Sequence, residues 1–154
     1  MSANKLGFFF VFFIMTVNFS WASCTVSISQ SVNFGNYNPF SLTEVDTTGT
    51  INLSCSGLVE ADLYQISLNQ GSYGSFSARQ MANSANRLNY NLYTDTAHTT
   101  VWGDGTSGTS IQSGTCLVIL NTCSASQTVY AKIPAQQNVA VGGYADSVTV
   151  TVNY

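Results

Sequence analysis

The sequence predicts an all-β protein, an Ig-like antiparallel β-sandwich built as one domain. Three observations lead there. Apolar residues recur at every second position in several short runs, the period of a strand with one buried face. Gly, Asn, Asp and Pro punctuate those runs as turn formers. No stretch sustains a helical period, and no internal repeat or linker divides the chain.

The elements follow in order. Residues 1–22 read as a signal peptide: Lys5, then the apolar run "LGFFFVFFIMTV", then small residues at Ser20 and Ala22. The run is shorter than the roughly 20 residues a membrane-spanning helix needs, and no later stretch could span a bilayer. Residues 23–154 form the mature domain. Val26, Ile28, Val32 and Phe34 alternate with polar residues as the first strand, broken by "FGNYNPF". "GTINLSCSG" makes a second strand through Ile51, Leu53 and Cys55, and "LYQISLNQG" a third through Tyr64, Ile66 and Leu68. Residues 71–87, rich in Gly, Ser, Ala and Asn, read as an irregular excursion in which "ARQMANSAN" could form a helical turn. "RLNYNLYTD" alternates through Leu88, Tyr90 and Leu92, and "TTVWGDGTSG" reads as a short strand entering a tight turn with Trp102 packed inward. "CLVILNTC" is apolar on both faces, "QTVYAKIP" carries Val129, Ala131 and Ile133 on one parity, and "VTVTVNY" closes the chain. That makes six or seven strands.

Charge excludes some partners. The mature part carries Arg79, Arg87 and Lys132 against seven acids, so no basic patch exists to neutralise phosphates and nucleic acid is not an expected partner. All four cysteines (Cys24, Cys55, Cys116, Cys123) lie in the exported part, and an even count there reads as disulfides. Of the three pairings, Cys24–Cys55 with Cys116–Cys123 is expected, since Cys24 and Cys55 both end inward-facing rows. Close C-x₂₋₄-C pairs of a zinc site are absent.

No catalytic, cofactor or metal site is expected. His98 is the single histidine, in the polar stretch "DTAHTT", and reads as a solvated loop residue; no G-x-S-x-G elbow accompanies it. Glu44 with Asp46, and Glu60 with Asp62, are spaced by two, so each pair shares one face of an extended segment, but the count of oxygen ligands is poor for calcium. "WGDGTSG" lacks the lysine and following helix of a phosphate loop.

The informative feature is the ending. Val148, Val150, Val152 and Tyr154 alternate with Thr149, Thr151 and Asn153, with no later strand to cover them. Either this is the ordinary final strand of a closed sandwich, or it is an edge that invites another strand.

At this point the ordered set Cys24…Phe34-Gly35-x-Tyr37, "TGTINLSC" (48–55), Arg79-x-Met81, "LNYNLYTD" (88–95), "VWGDG" (101–105), "YAKIPAQQ" (130–137) and "GGYADSVTVTVNY" (142–154) resembles the spore coat protein U domain, a family that includes subunits of archaic, Csu-type chaperone–usher pili. The resemblance implies an incomplete Ig-like fold that lacks its last strand. It implies as partners a periplasmic chaperone that lends a strand, an outer-membrane usher and neighbouring pilus subunits, on a route through the periplasm to the cell surface. Val148, Val150, Val152 and Tyr154 would line the acceptor edge. One departure stands out: only Ser23 lies between the expected cleavage site and Cys24, so no donor segment is expected and the chain reads as an acceptor-only tip or minor subunit. The alternative is a secreted adhesin or carbohydrate-binding sandwich that acts without polymerising.

Overall fold

The alternating runs fold as strands, and none of the described residues is helical. The structure, a computed structural model, describes residues 23–57, 62–116, 119 and 121–154. Its strands are β1 (Ser23–Gln30), β2 (Val45–Ser56), β3 (Asp62–Leu68), β4 (Gly74–Ser75), β5 (Ala78–Asn83), β6 (Asn86–Tyr93), β7 (Gln112–Cys116), β8 (Thr122–Ile133) and β9 (Val150–Asn153). They form two sheets, one in the order β1-β2-β8-β6-β5-β4 and the other in the order β7-β3-β9. Every pairing between named strands is antiparallel.

The core lies between the sheets, and the predicted rows supply it. Ile51 and Leu53 of β2, Ile66 and Leu68 of β3, Leu88 and Leu92 of β6, and Ala131 and Ile133 of β8 are all buried. Such alternation leaves one face of each strand in the core and the other polar. Trp102 is fully buried, as expected, and its indole N–H donates to the Ile66 carbonyl at 2.9 Å. An indole N–H needs such a partner when it leaves water.

The cysteines follow the expected pattern where they are described. Cys24 and Cys55 are direct cross-strand partners in β1 and β2 and are joined by a disulfide. Cys123 is also disulfide-bonded. The side chain of Cys116, its expected partner, lies outside the described residues.

Several expectations are corrected. "ARQMAN" is not part of an irregular excursion or a helical turn: it is β5, paired with β6 from Arg79↔Tyr90 to Asn83↔Asn86 around Ser84 and Ala85. Ala, Arg, Gln and Met favour helices in isolation, but the ladder and the core contacts of Arg79 and Met81 override that weak preference. Arg79 is completely buried. Its guanidinium donates to Asn91 Oδ1 at 2.6 Å, to the Asn69 carbonyl at 2.8 Å and to the Trp102 carbonyl at 2.8 Å. Burial, against the attraction of surrounding acids and tyrosines, holds its pKa below the ordinary arginine value.

The first strand stops at Gln30 rather than Phe34, with a register shift between Ile28 and Gln30. Val32 and Phe34 still pack against the core from an irregular segment. Gly49 permits the crossing, because a Cβ there would sit 2.8 Å from Val32 Cγ2. β7 was hidden in sequence by its polar composition, QSGTC. The Val101–Trp102 stretch forms isolated bridges to Tyr93 and Ser110 rather than a regular hairpin. Of "CLVILNTC", residues 117, 118 and 120 lie outside the described residues, and Ile119 is exposed in a tight turn with Thr122. Among the described residues no helix is long and apolar enough to cross a membrane.

Candidate strand-acceptor groove

The groove is built from two strand edges, one in each sheet. Its first bank is β9. Residues 144–153 alternate strictly, with Tyr144, Asp146, Val148, Val150 and Val152 half-buried and the residues between them exposed. The even row points inward because Val148, Val150 and Val152 pack against the core. β9 pairs with β3 through Leu68↔Val150, Ser67↔Thr151, Ile66↔Val152 and Gln65↔Asn153. Among the described residues nothing pairs with its other side.

The polarity of that open side follows from the ladder. The Asn69 N–H donates to the Thr149 carbonyl, whereas the Leu68 N–H turns away to the Gly103 carbonyl. Hydrogen-bonded and non-hydrogen-bonded pairs alternate in an antiparallel ladder, so Thr149, Thr151 and Asn153 direct their backbone groups at β3. Val150 and Val152 therefore direct their N–H and C=O groups outward, as a template for one more strand.

The second bank is β1. In the register Val26↔Leu53 and Ile28↔Ile51, cross-strand partners share one face. Leu53 and Ile51 are 1% and 3% exposed, but Val26 and Ile28 are 41% and 49% exposed. An inward-facing apolar row with no cover marks the edge where the second sheet is too narrow. Between the banks runs a cleft of ≈ 460 Å³, lined by Ile28 and Val32 on one side, Val148 and Val150 on the other, and Leu92 and Val129 on its floor. It leads past Phe34 and Tyr144 into a second, larger hollow of ≈ 710 Å³.

The cleft is almost free of charge. Among the described residues that line it, Asp146 alone carries one, and its carboxylate is saturated by the Tyr90 hydroxyl at 2.7 Å and the N–H groups of Ser72 and Ser147 at 2.9 and 2.8 Å. Burial first, and then the bond to Asp146, push the pKa of Tyr90 well above the ordinary tyrosine range. At the other end Tyr154 is 55% exposed, and its hydroxyl accepts from the Cys24 N–H at 3.4 Å, spanning the gap between the sheets beside the disulfide.

Of the residues expected at the acceptor edge, the structure brings Val148, Val150 and Val152 together on the groove wall and sets Tyr154 at its end. The whole β1 bank, Tyr144 and Asp146 were missed, although the parity that singled out Val148 extends back through both of the latter. His98 is not a solvated loop residue: its side chain is 10% exposed, stacks edge-on against Tyr93 at 5.0 Å and lies 4.0 Å from Asp46. Glu44 and Asp46 gather with His98 on the outer face of the six-stranded sheet, away from the groove. Glu60 and the side chain of Asp62 lie outside the described residues.

Comparison with known proteins places this architecture. The Spore Coat Protein U domain model matches residues 11–151. Protein U of Myxococcus xanthus is 36% identical over 138 residues, covering 80% of this chain and 72% of that protein. Among solved structures, a chain of the CsuC–CsuE chaperone–tip adhesion subunit pre-assembly complex from the archaic chaperone–usher Csu pili of Acinetobacter baumannii superposes with a TM-score of 0.58 at 21% identity. The match covers 87% of this chain and 40% of that one, and at such identity the likeness concerns the fold.

Proposed function

This chain belongs to the Spore Coat Protein U domain family, and from that premise we propose that it is a structural subunit completed in trans by a strand from another polypeptide. In this reading it is exported by cleavage of a signal peptide over residues 1–22, is held in the periplasm by a chaperone that fills the groove, and is passed by an outer-membrane usher to a neighbouring subunit at the cell surface. One observation carries the reading. Val26 and Ile28 are nearly half exposed on the same face as Leu53 and Ile51, which are buried. A strand added to the open side of β9 would lie roughly 4.8 Å from it and would drop alternate side chains into the cleft. Val148, Val150, Val152 and Tyr154 form the acceptor edge. Main-chain bonds to Val150 and Val152 would supply affinity, and the apolar pockets would supply register.

The chain acts as an acceptor only, because the Cys24–Cys55 disulfide and the β1–β2 ladder hold β1 within its own sheet. That finer claim needs a mature N-terminus at or near Ser23, which intact-mass measurement of the exported protein reads directly. The groove itself is tested by appending an alternating apolar strand after Tyr154 through a short Gly-Ser turn. A large rise in solubility and melting temperature is expected; equal behaviour with and without the strand would refute the reading.

A second reading, an adhesive module, is favoured by a different observation. Phe40 and Val141 flank the second hollow and are 89% and 101% exposed. Apolar side chains so presented suit contact with a surface or ligand.

A further inference from the structure

A separate cluster on the outer face of the six-stranded sheet has no part in the groove. Asp46 lies on β2 and Glu44 just before it, while His98 arrives from the loop after β6. One donor atom from each lies within 4.8 Å of the others. The loop is firmly built: the Asp95 carboxylate accepts from the N–H groups of Thr99 and Thr100 at 3.1 and 2.8 Å, and the His98 N–H donates to the Asp95 carbonyl. His98 itself adopts a left-handed backbone (φ 54°), which turns its ring back onto Tyr93 and towards Asp46.

The ring is held in place beside the carboxylates, stacked on Tyr93. The His98 side chain is nine-tenths buried and makes no hydrogen bond among the described residues, but its nitrogens reach solvent, since no sealed side-chain nitrogen or oxygen there lacks a partner, and a ligand would displace water from them. Its Nε2 faces Asp46 Oδ1 at 4.0 Å, too long for a hydrogen bond but wide enough to admit an ion between them. Asp46 likewise has no nearer partner among the described residues. Lys132 serves Glu44 instead, at 3.1 Å, so of two carboxylates and one cation one negative charge stays uncompensated.

We propose that Glu44, Asp46 and His98 form a binding site for a divalent first-row metal ion, with Zn²⁺ the best match. One imidazole nitrogen and two carboxylate oxygens are the borderline donor set that zinc takes, and three protein ligands leave a fourth position open to water or to a neighbouring molecule. Bond lengths of about 2.0–2.2 Å require the donors to close to separations of roughly 3.4 Å. The movement falls to Glu44 and Asp46, whose side chains are about half exposed, whereas His98 is already held. Glu44 leaves Lys132 on binding, so the ammonium of Lys132 is a competitor and not part of the site.

The chain has a single histidine, which makes the test unambiguous. Full-length protein purified without a polyhistidine tag is titrated with ZnCl₂ while the imidazole proton resonances and the heat of binding are followed. The expected result is one saturable equivalent per chain that shifts or broadens the His98 resonances, with Mg²⁺ causing no such change. Asp46→Asn and His98→Gln are expected to weaken binding by at least about tenfold, the lower bound even for the loss of an outer-shell partner. Lys132→Met is expected to bind Zn²⁺ at least as tightly as the wild type. Absence of a saturable equivalent, or His98 resonances unmoved at saturation, would overturn the proposal. The resonance test uses the wild-type chain, so it stands even if a variant misfolds.

Discussion

Removing the exposed half of Ile28 should weaken the completed fold more than the uncompleted one. Truncating a fully buried Ile to Ala costs about 2–5 kcal/mol. Ile28 is 49% exposed, so only about half of that, roughly 1–2.5 kcal/mol, is lost in the uncompleted chain. The other half becomes available once a strand covers the groove, and its loss should reduce strand affinity about 5- to 60-fold at 1.4 kcal/mol per factor of ten. Leu53, its neighbour on the same face, is 1% exposed and has nothing left to gain from a cover. Leu53→Ala should therefore cost its full share in the uncompleted chain and leave strand binding almost unchanged. The assay is urea unfolding of the chain with and without an appended strand, in wild type, Ile28→Ala and Leu53→Ala, with the coupling between strand and substitution taken as a cycle. If Ile28→Ala shows the same coupling as Leu53→Ala, within about 0.5 kcal/mol, the exposed β1 row is not what a donor strand covers and the reasoning fails.

Further outcomes follow from the same structure. Val152→Pro removes an N–H from the open side of β9 without breaking a β3 bond, so relative to Val152→Ala it should lower strand binding while changing the uncompleted chain less; equal effects on both would place that N–H elsewhere. Cys24→Ser with Cys55→Ser frees β1 and should cost roughly 3.7 kcal/mol by chain entropy over the 31-residue separation, read as a fall in urea midpoint. Arg79→Met leaves the Asn69 and Trp102 carbonyls without the guanidinium donor, while Asn91 Oδ1 keeps the Leu92 N–H, and should destabilise by about 2 kcal/mol or more in the same measurement. Tyr90 has a raised folded-state pKa, so its contribution is complete below the unfolded value of 10.0 and is lost as pH climbs above it. Unfolding profiles between neutral and alkaline pH should therefore fall above that value, and Tyr90→Phe should flatten the fall.

Local rules were enough for the strand rows of β2, β3, β6 and β8, the burial of Trp102 and the pairing of Cys24 with Cys55. Each depends on period-two alternation or on a cysteine at the end of such a row, and these properties travel with a few adjacent residues. The parity of Val148, Val150 and Val152 was equally plain, and it carried half of the groove. β5 escaped because helix-favouring side chains were overruled by pairing with β6, and β7 because QSGTC shows no apolar row at all. The burial of Arg79 escaped too, since nothing nearby in sequence reveals that Asn69, Asn91 and Trp102 will surround it with acceptors.

The sequence by itself determined which residues alternate, and thus that the chain makes strands with one apolar face. Only the tertiary structure decided where the sheets end. Whether Val26 and Ile28 are covered depends on how far the opposite sheet reaches, and whether His98 meets Asp46 depends on a loop folding back over a strand 52 residues earlier in the chain. Contacts between distant segments arise from packing of whole layers, a property that no local pattern of residues contains.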